Sequence, residues 1–254
     1  MNVTPKVGLV REPLGWYVDK LVRGEPFTSL LYGDGEWIGC LGLRTGEPLS
    51  HGEVMTAQLG EELGASLHDD SPDLIRATDP ILIHYRSYEG QDYSSVEYYG
   101  VRINAYLKAL GKPFTFYDGT VWETASQRGE LSPFLRALKI KSVLMVANRR
   151  LRGIKAVRPE SFVEIPDQNA YASIDSVESQ VLTHGRPDVC IVCTGLGAIP
   201  LVMRLRKHWP SCTYLDLGST FDLFARLPSR GWREHLYRDE AEYRRIVNAN
   251  LEGV

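Results

Sequence analysis

The sequence predicts an α/β fold, a single Rossmann-like domain in which a mostly parallel sheet is covered by helices on both faces. Candidate strands and helices alternate along the whole chain. The strands after residue 142, such as VLMVA and CIVC, are continuous apolar runs, which is typical of strands buried on both faces of a parallel sheet. No repeat or low-complexity linker divides the chain. We therefore predict one domain over residues 1–228 and a polar, peripheral helical extension over 229–254.

The first elements are predicted from helical periodicity and from apolar runs. LGWYVDKLVR at 14–23 predicts a helix, and FTSLLY at 27–32 predicts a buried strand. A second helix is expected over 52–67, where Ser50 is the candidate N-cap and Glu53 would complete a capping box. A short apolar run follows at 81–85 and leads into Arg86.

The rest of the chain continues the alternation of helices and strands. Glycines such as Gly111 and Gly185 supply the expected helix ends. The sequence predicts helices over 94–111, 120–139 (broken), 173–185 and 198–208, and strands over 113–118, 141–148, 161–166, 188–193 and 212–217.

Composition excludes several classes of protein. The hydrophobic fraction of 43% and charged fraction of 24% are those of an ordinary soluble globular chain. A net charge of -3 and a pI near 6.1 argue against a basic nucleic-acid-binding protein. No apolar run reaches the roughly 18–20 residues that span a bilayer, and charges interrupt the N-terminus too early for a secretory signal. A cytoplasmic location without a membrane span is the expectation.

Two of the four cysteines form a C-x-x-C motif that could indicate zinc or redox chemistry. Cys190 and Cys193 lie inside a predicted strand, where residues three apart point to opposite faces. No second such motif exists to complete a zinc site. We therefore predict buried, structural cysteines.

The stretch YGDGE at 32–36 places two carboxylates, Asp34 and Glu36, directly after a predicted strand. Glycines at 33 and 35 allow a tight turn and a close approach to a ligand. Carboxylates on such a turn can bind a hard divalent cation that takes its remaining ligands from water and substrate phosphates. The same residues are also compatible with an ordinary turn followed by a helix N-terminus.

Polar residues follow the other predicted strands, and ligands in open α/β sheets bind beyond the carboxyl ends of strands. The turn at 194–197 could bind a phosphate through backbone N–H groups, or be a plain tight turn. Arginines after the strand at 141–148 match phosphate geometry, or form a solvated surface. The strand-end candidates are Asp34, Glu36, Arg86, Asp118, Asn148, Arg149, Arg152, Thr194, Gly195, Gly197 and Asp216.

These motifs, in this order, resemble those of the bacterial glycosyltransferases with the GT-D fold, which carry an aromatic-Gly-Asp-Gly-Glu signature near the N-terminus. The resemblance covers about residues 10–225 and continues through VANRRLRG, IPDQNAYASIDSV, CIVCTGLGAIPLVMRLRK and YLDLGSTFD. The chain departs from the family pattern at Gly195-Leu196-Gly197, at Gly218-Ser219 and at 119–126. These departures lie where the acceptor is expected to bind, so the identity of the acceptor is the property that the resemblance transfers least.

The resemblance implies a metal-dependent enzyme that moves a sugar from a nucleoside diphosphate donor, expected to be a UDP-sugar, to a hydroxyl of a glycan or glycoprotein. Asp34 and Glu36 would hold Mn²⁺ or Mg²⁺. Asp118, Glu123 and Asp222 are candidates for a catalytic base, with Asp118 placed first. The expected substrate-binding residues are Tyr32, Gly33, Gly35, Arg86, Asn148, Arg149, Arg152, Thr194, Gly195, Gly197 and Asp216.

Three alternatives stay open at this point. The acceptor could be a hydroxylated nucleic-acid base. The chain could be a Rossmann-like NAD- or nucleotide-binding enzyme that uses the 194–197 turn, although Pro200 replaces the third glycine of that fingerprint and no ribose-binding acid is evident. It could also be a non-catalytic sensor of nucleotide-sugars or an assembly partner. Each of these functions is compatible with a homo-oligomer.

Overall fold

Eight parallel strands form the sheet in the computed structural model, which describes residues 7–49, 52–84, 94–229 and 231–254. The order across the sheet is β1-β4-β3-β2-β8-β7-β5-β6, and every strand pairing is parallel. The strands are β1 Val7–Val10, β2 Thr28–Tyr32, β3 Leu74–Thr78, β4 Phe114–Asp118, β5 Val143–Asn148, β6 Ser161–Ile165, β7 Val189–Cys193 and β8 Thr213–Asp216.

Helices of the described residues cover both faces of the sheet, as predicted. One face carries α2, α3, α5, α8 and α9, and the other carries α1, α6 and α7. The helices are α1 Leu14–Arg23, α2 Asp34–Cys40, α3 Ala57–Ser66, α4 Pro80–Ile83, α5 Ser94–Ala109, α6 Val121–Arg128, α7 Ser132–Leu138, α8 Ile174–Leu182, α9 Ala198–His208, α10 Gly231–Arg238 and α11 Glu240–Asn250. No helix in these ranges is long and apolar enough to span a membrane.

The central strands alternate their side chains between two apolar cores. On β5, Leu144 and Val146 pack on the α3/α9 face, whereas Met145 packs on the α1/α7 face. Cys190 and Cys193 are buried on opposite faces in the same way. The prediction of structural cysteines at these two positions is therefore confirmed.

The strand next to β2 differs from the expected one. Residues 81–83 of the apolar run lie in α4 instead of a strand, because Asp79 accepts a hydrogen bond from Ile81 N at 3.0 Å and Pro80 occupies the first turn. The strand that pairs with β2 is β3, and Arg76 interrupts its apolar sequence pattern. This buried guanidinium donates to the Leu67 carbonyl at the end of α3.

The start of α3 also differs from the prediction. Thr56 caps the helix by accepting a hydrogen bond from Leu59 N at 3.0 Å, so the helix begins at Ala57, five residues after the expected start at 52. Ser50 and Arg86 both lie outside the described residues. Glu53 is not part of this cap. Its side chain accepts a hydrogen bond from Ala170 N instead.

The C-terminal helices α10 and α11 are joined to the domain by buried polar contacts. Asn250 is fully buried, accepts a hydrogen bond from Leu131 N at 2.9 Å and donates one to the Ser126 carbonyl at 2.8 Å. The side chain of Arg233 on α10 is also fully buried. The domain boundary at 228 stays a prediction, but these contacts join α10 and α11 to α6 and to the residue that precedes α7.

The Asn250 contacts predict a specific loss of stability. Substituting Asn250→Ala leaves two buried backbone groups without partners, which costs roughly 2 to 4 kcal/mol in the free energy of unfolding. The control is Asn248→Ala, at an exposed position of α11, which is expected to cost less than about 0.5 kcal/mol. Urea denaturation measures both variants. Equal stability of the two would contradict the packing of α11 described above.

Candidate active site

A cavity of about 390 Å³ lies where β2, β8, β7 and β5 end at the carboxyl edge of the sheet. Its volume is within the roughly 300–1,000 Å³ of small-molecule sites. The two halves of the sheet, β1–β4 and β5–β8, meet at the β2–β8 pair beneath it. Predicted site residues that line the cavity are Gly33, Asp34, Gly35, Glu36, Asn148, Thr194, Gly195 and Asp216.

The turn between β2 and α2 presents both acids of the predicted metal site. Asp34 is the first residue of α2 and is exposed. Glu36 folds back so that its carboxylate accepts a hydrogen bond from Gly33 N at 2.9 Å. The helix-start interpretation of this stretch therefore applies to Glu36, which caps α2 and also lines the cavity, and the metal site stays a prediction.

The aromatic residue of the motif anchors the turn from below. Tyr32 is fully buried, shares a 2.6 Å hydrogen bond with Ser66 and packs on Trp37 with ring centroids 5.4 Å apart. Trp37 donates to the Thr78 hydroxyl at 3.0 Å, which in turn donates to the Tyr32 carbonyl at 2.7 Å. Tyr32 does not line the cavity, so the structure gives it a supporting position instead of the expected contact with substrate.

Gly35 brings α2 against the turn that follows β7. A Cβ at position 35 would lie 2.7 Å from Leu196 Cδ2, so a larger residue would require the Leu196 side chain to move. Gly195 lines the cavity in the same turn. Gly197 does not line it, and a Cβ at position 197 would lie 3.5 Å from Tyr171 N. Glycine at 35 therefore allows Leu196 to pack directly against α2.

Asp216 ends β8 and is 4% exposed. Its two carboxyl oxygens accept hydrogen bonds from Leu31 N and Gly218 N, each at 3.2 Å. Burial and the nearby Glu36 carboxylate raise the pKa of Asp216 to about 8, and the two amides offset only part of this rise. The side chain therefore links β8 to β2 largely as a neutral acid at pH 7.

The polar end of β5 forms another wall of the cavity. Asn148 accepts a hydrogen bond from Arg150 N at 2.9 Å and donates to Asp167, which also pairs with the Arg150 guanidinium at 3.3 Å. Arg150 and Asp167 line the cavity, and neither was among the predicted site residues. Because Arg149–Leu151 forms a short 3₁₀ turn, Arg150 lines the cavity and Arg149 does not.

The two arginines predicted to bind substrate lie outside this cavity. Arg149 lines a neighbouring depression of about 460 Å³ beside α8. Arg152 pairs with Glu164 at 3.5 Å, and its guanidinium lies 4.8 Å from the Phe162 ring. Both positions are solvent-exposed, in agreement with the alternative interpretation of a charged surface.

The candidate bases are separated by the fold. Asp118 lies at the end of β4 and accepts hydrogen bonds from the backbone and hydroxyl of Thr120 at 2.9 and 2.6 Å, away from the cavity lining. Glu123 is bound by the buried Arg233 at 2.8 Å. Asp222 lines the cavity, 3.7 Å from the same guanidinium. The placement favours Asp222 over Asp118.

Glu53 is a site residue that the sequence analysis assigned to a helix cap. It is 9% exposed and lines the cavity. One of its carboxyl oxygens accepts a hydrogen bond from Ala170 N at 3.0 Å. Burial raises the pKa of Glu53, although the amides of Ala170 and Tyr171 act in the opposite direction. Nothing in its local sequence distinguishes it from a capping residue.

The cavity is strongly acidic. Among the described residues that line it, Arg150 is the only cationic side chain. No cluster of three or more His, Cys, Asp or Glu side chains in the described ranges is arranged to hold a metal by itself. The carboxyl groups that line the cavity are those of Asp34, Glu36, Glu53, Asp167, Asp216 and Asp222.

Comparison with known proteins identifies the fold. No protein-family profile matches the chain, and no curated protein matches it significantly. A selenomethionine-substituted structure of domain of unknown function 1792 aligns with a TM-score of 0.63 and 16% identity over 94% of this chain and 84% of that chain. The same domain, described as having a distinct glycosyltransferase fold, aligns with a TM-score of 0.59, 17% identity and the same coverage.

A third structure is described as a new glycosyltransferase (DUF1792) from Streptococcus sanguinis. It aligns with a TM-score of 0.61 and 14% identity over 92% of this chain and 85% of that chain. The chain thus has the α/β architecture of a glycosyltransferase. More particularly, it has the distinct fold of the DUF1792 domains, which confirms the fold that the sequence resemblance implies.

The raised pKa of Asp216 predicts a pH dependence of stability in the presence of chelator. Its folded-state value of about 8 exceeds the unfolded value of roughly 3.9, so folding favours the protonated form. The stabilisation that this group gives the folded state is complete below about pH 4 and is lost as the pH rises through 8. Over this range the free energy of unfolding falls by up to about 1.4 kcal/mol per pH unit.

Asp216→Asn is expected to remove the contribution of Asp216 to the fall in the free energy of unfolding between pH 5 and 8, as measured by urea denaturation. The control is Asp19→Asn, at an exposed position of α1. Parallel profiles for the parent protein and Asp216→Asn would show that the carboxyl group is ionised in the folded protein throughout this range.

Proposed function

We propose that this protein is a metal-dependent glycosyltransferase that moves a sugar from a UDP-sugar to a hydroxyl of a glycan or glycoprotein. The observation that carries the proposal is the acid-lined cavity with Asp34 and Glu36 at its mouth, built on the carboxyl edge of this sheet. The similarity to structures described as glycosyltransferases supports it. The cytoplasmic location and a homo-oligomer remain predictions.

The charge of the cavity explains why a cation is needed. Each carboxylate about 5 Å from a diphosphate would repel it by roughly 3 kcal/mol at an effective dielectric constant near 20. Arg150 offsets little of this repulsion because it is already paired with Asp167. Asp34 and Glu36 would hold a divalent cation, whose positive charge would offset this repulsion.

Asp34 and Glu36 are the residues that would hold Mn²⁺ or Mg²⁺. Carboxylate oxygens are the ligands these ions prefer, and Mg²⁺ commonly takes one or two carboxylates with the rest of its shell from water and phosphate oxygens. The absence of a larger acid cluster in the described residues fits this shared coordination. When bound, the ion would neutralise negative charge on the departing diphosphate.

Other residues of the chain orient the substrates. Asn148 fixes Arg150 at the wall of the cavity, where the guanidinium can contact a phosphate oxygen. Thr194 and Gly195 lead into α9, an 11-residue helix whose N-terminal N–H groups favour an anion. Asp222 is the base candidate that lines the cavity, 3.7 Å from the Arg233 guanidinium.

The alternative functions lack a supporting observation. A nucleic-acid acceptor would bring further phosphates to an acidic surface. An NAD-dependent enzyme would need the third glycine that Pro200 replaces. The glycan or glycoprotein acceptor is therefore retained.

Removal of either proposed metal ligand tests this function. Asp34→Asn and Glu36→Gln are expected to lower kcat/KM for sugar transfer or donor hydrolysis by roughly 100-fold or more, the scale of losing one group that stabilises transition-state charge. A chelator should abolish the activity of the parent protein, and Mn²⁺ should restore it. The assay uses a panel of UDP-sugars and acceptors.

Asp19→Asn is the matched control for loss of one exposed carboxylate and should retain parental activity. Thermal unfolding of Glu36→Gln checks that α2 is still capped, since glutamine can accept the same hydrogen bond from Gly33 N. Full activity in chelator, or in both variants, would refute the metal-dependent mechanism.

A further inference from the structure

Two buried polar side chains, Glu53 and Thr194, present atoms without hydrogen-bond partners in the wall of the cavity. Both side chains line the cavity, and they are 9% and 5% exposed. Glu53 Oε2 and Thr194 Oγ1 are buried and make no hydrogen bond to any described residue. The proposed function uses the backbone at Thr194 before α9, but it uses neither the Thr194 hydroxyl nor the Glu53 carboxyl group.

The backbone holds Glu53 firmly in this position. Its own carbonyl accepts a hydrogen bond from Leu49 N at 2.7 Å, and a bridge between Pro48 and Val54 closes the loop around it. Its Oε1 accepts the Ala170 amide at 3.0 Å, which leaves Oε2 as the unused oxygen. The carboxyl group is therefore fixed through Oε1, and its buried Oε2 has no hydrogen-bond partner among the described residues.

Thr194 lines the same cavity from the end of β7. The residue that follows it, Gly195, lies against Glu53, because an ideal Cβ on Gly195 would be 3.8 Å from Glu53 Oε1. The Thr194 hydroxyl faces the turn into α9, 3.7 Å from the ideal Cβ position of Gly197. One side chain comes from the loop before α3 and the other from the central strand β7, so the fold brings them together from distant parts of the sequence.

Unpaired polar atoms in a buried wall are costly for folding, and they are retained where a ligand satisfies them. The pair can both accept and donate hydrogen bonds, since Glu53 accepts and the Thr194 hydroxyl does either. Phosphate is a poor match because Glu53 adds negative charge. A neutral ligand with hydroxyl groups matches both side chains.

We propose that Glu53 and Thr194 form a subsite that binds a sugar hydroxyl beside the metal site. This inference rests on the proposed function and adds to it the residues that recognise the sugar. The hydroxyl belongs either to the transferred sugar of the donor or to the acceptor glycan. Both sources present the same chemistry, and they are separated by measuring donor and acceptor independently.

The test uses Glu53→Gln and Thr194→Val, two nearly isosteric variants of the full chain. Isothermal titration in Mn²⁺ measures binding of UDP, UDP-glucose, UDP-galactose and UDP-N-acetylglucosamine. Each variant is expected to bind the preferred UDP-sugar about tenfold more weakly, the effect of one hydrogen bond, while UDP alone binds within twofold of the parent. If the hydroxyl comes from the acceptor, donor binding is unchanged and KM for the acceptor rises about tenfold.

Thermal unfolding of the free protein separates ligand recognition from a structural role. Thr194→Val removes a buried hydroxyl without a partner, so its Tm should equal or exceed that of the parent while sugar binding weakens. A structural role predicts the reverse, a lowered Tm with normal binding. The outcome for Thr194→Val decides the matter even if Glu53→Gln fails to fold.

The outcomes also separate this subsite from the function on which it rests. If the parent binds UDP and a UDP-sugar but neither variant changes donor binding or acceptor KM, the subsite alone is refuted. If the parent binds neither UDP nor any UDP-sugar in Mn²⁺, the proposed function fails and the subsite fails with it. A weakened UDP-sugar or acceptor interaction with unchanged UDP binding supports both.

Discussion

Mutual repulsion among carboxyl groups is the constraint on which the site depends. Among the described residues, six carboxyl groups line one cavity at the carboxyl edge of the sheet, together with the single guanidinium of Arg150. Asp216 relieves part of this repulsion by remaining largely protonated between β8 and β2. In the proposed function the remaining negative charge would hold a cation, so that a metal–diphosphate complex could bind where a bare diphosphate would be repelled.

The scaffold below the cavity keeps these acids in place. Tyr32, Trp37 and Thr78 connect β2, α2 and β3 through two hydrogen bonds and a packed ring pair, so the turn that bears Asp34 cannot move without disturbing the core. On the opposite wall, the fully buried Arg233 joins α10 to the loop that bears Asp222. Residues outside the cavity lining therefore hold Asp34 and Asp222 in position.

Sequence patterns predicted the strands that carry the site, because β2, β5, β7 and β8 are apolar runs with polar residues at their carboxyl ends. β3 was not predicted since a buried Arg76 interrupts its pattern. The choice of Arg150 over its neighbours depends on a 3₁₀ turn, and the position of Glu53 depends on a long-range contact with Ala170. Such features come from tertiary packing, so local patterns place acids and turns but do not determine which side chains converge.

The central claim is that a cation lies between the carboxylates at the start of α2 and the diphosphate of the donor. The most direct measurement is a crystal structure of the protein with UDP and Mn²⁺, with the ion located by its anomalous scattering. The account predicts an anomalous peak within about 2.5 Å of oxygens from Asp34, Glu36 and the diphosphate. A well-ordered UDP bound far from both carboxylates, with no ion between them, would contradict it.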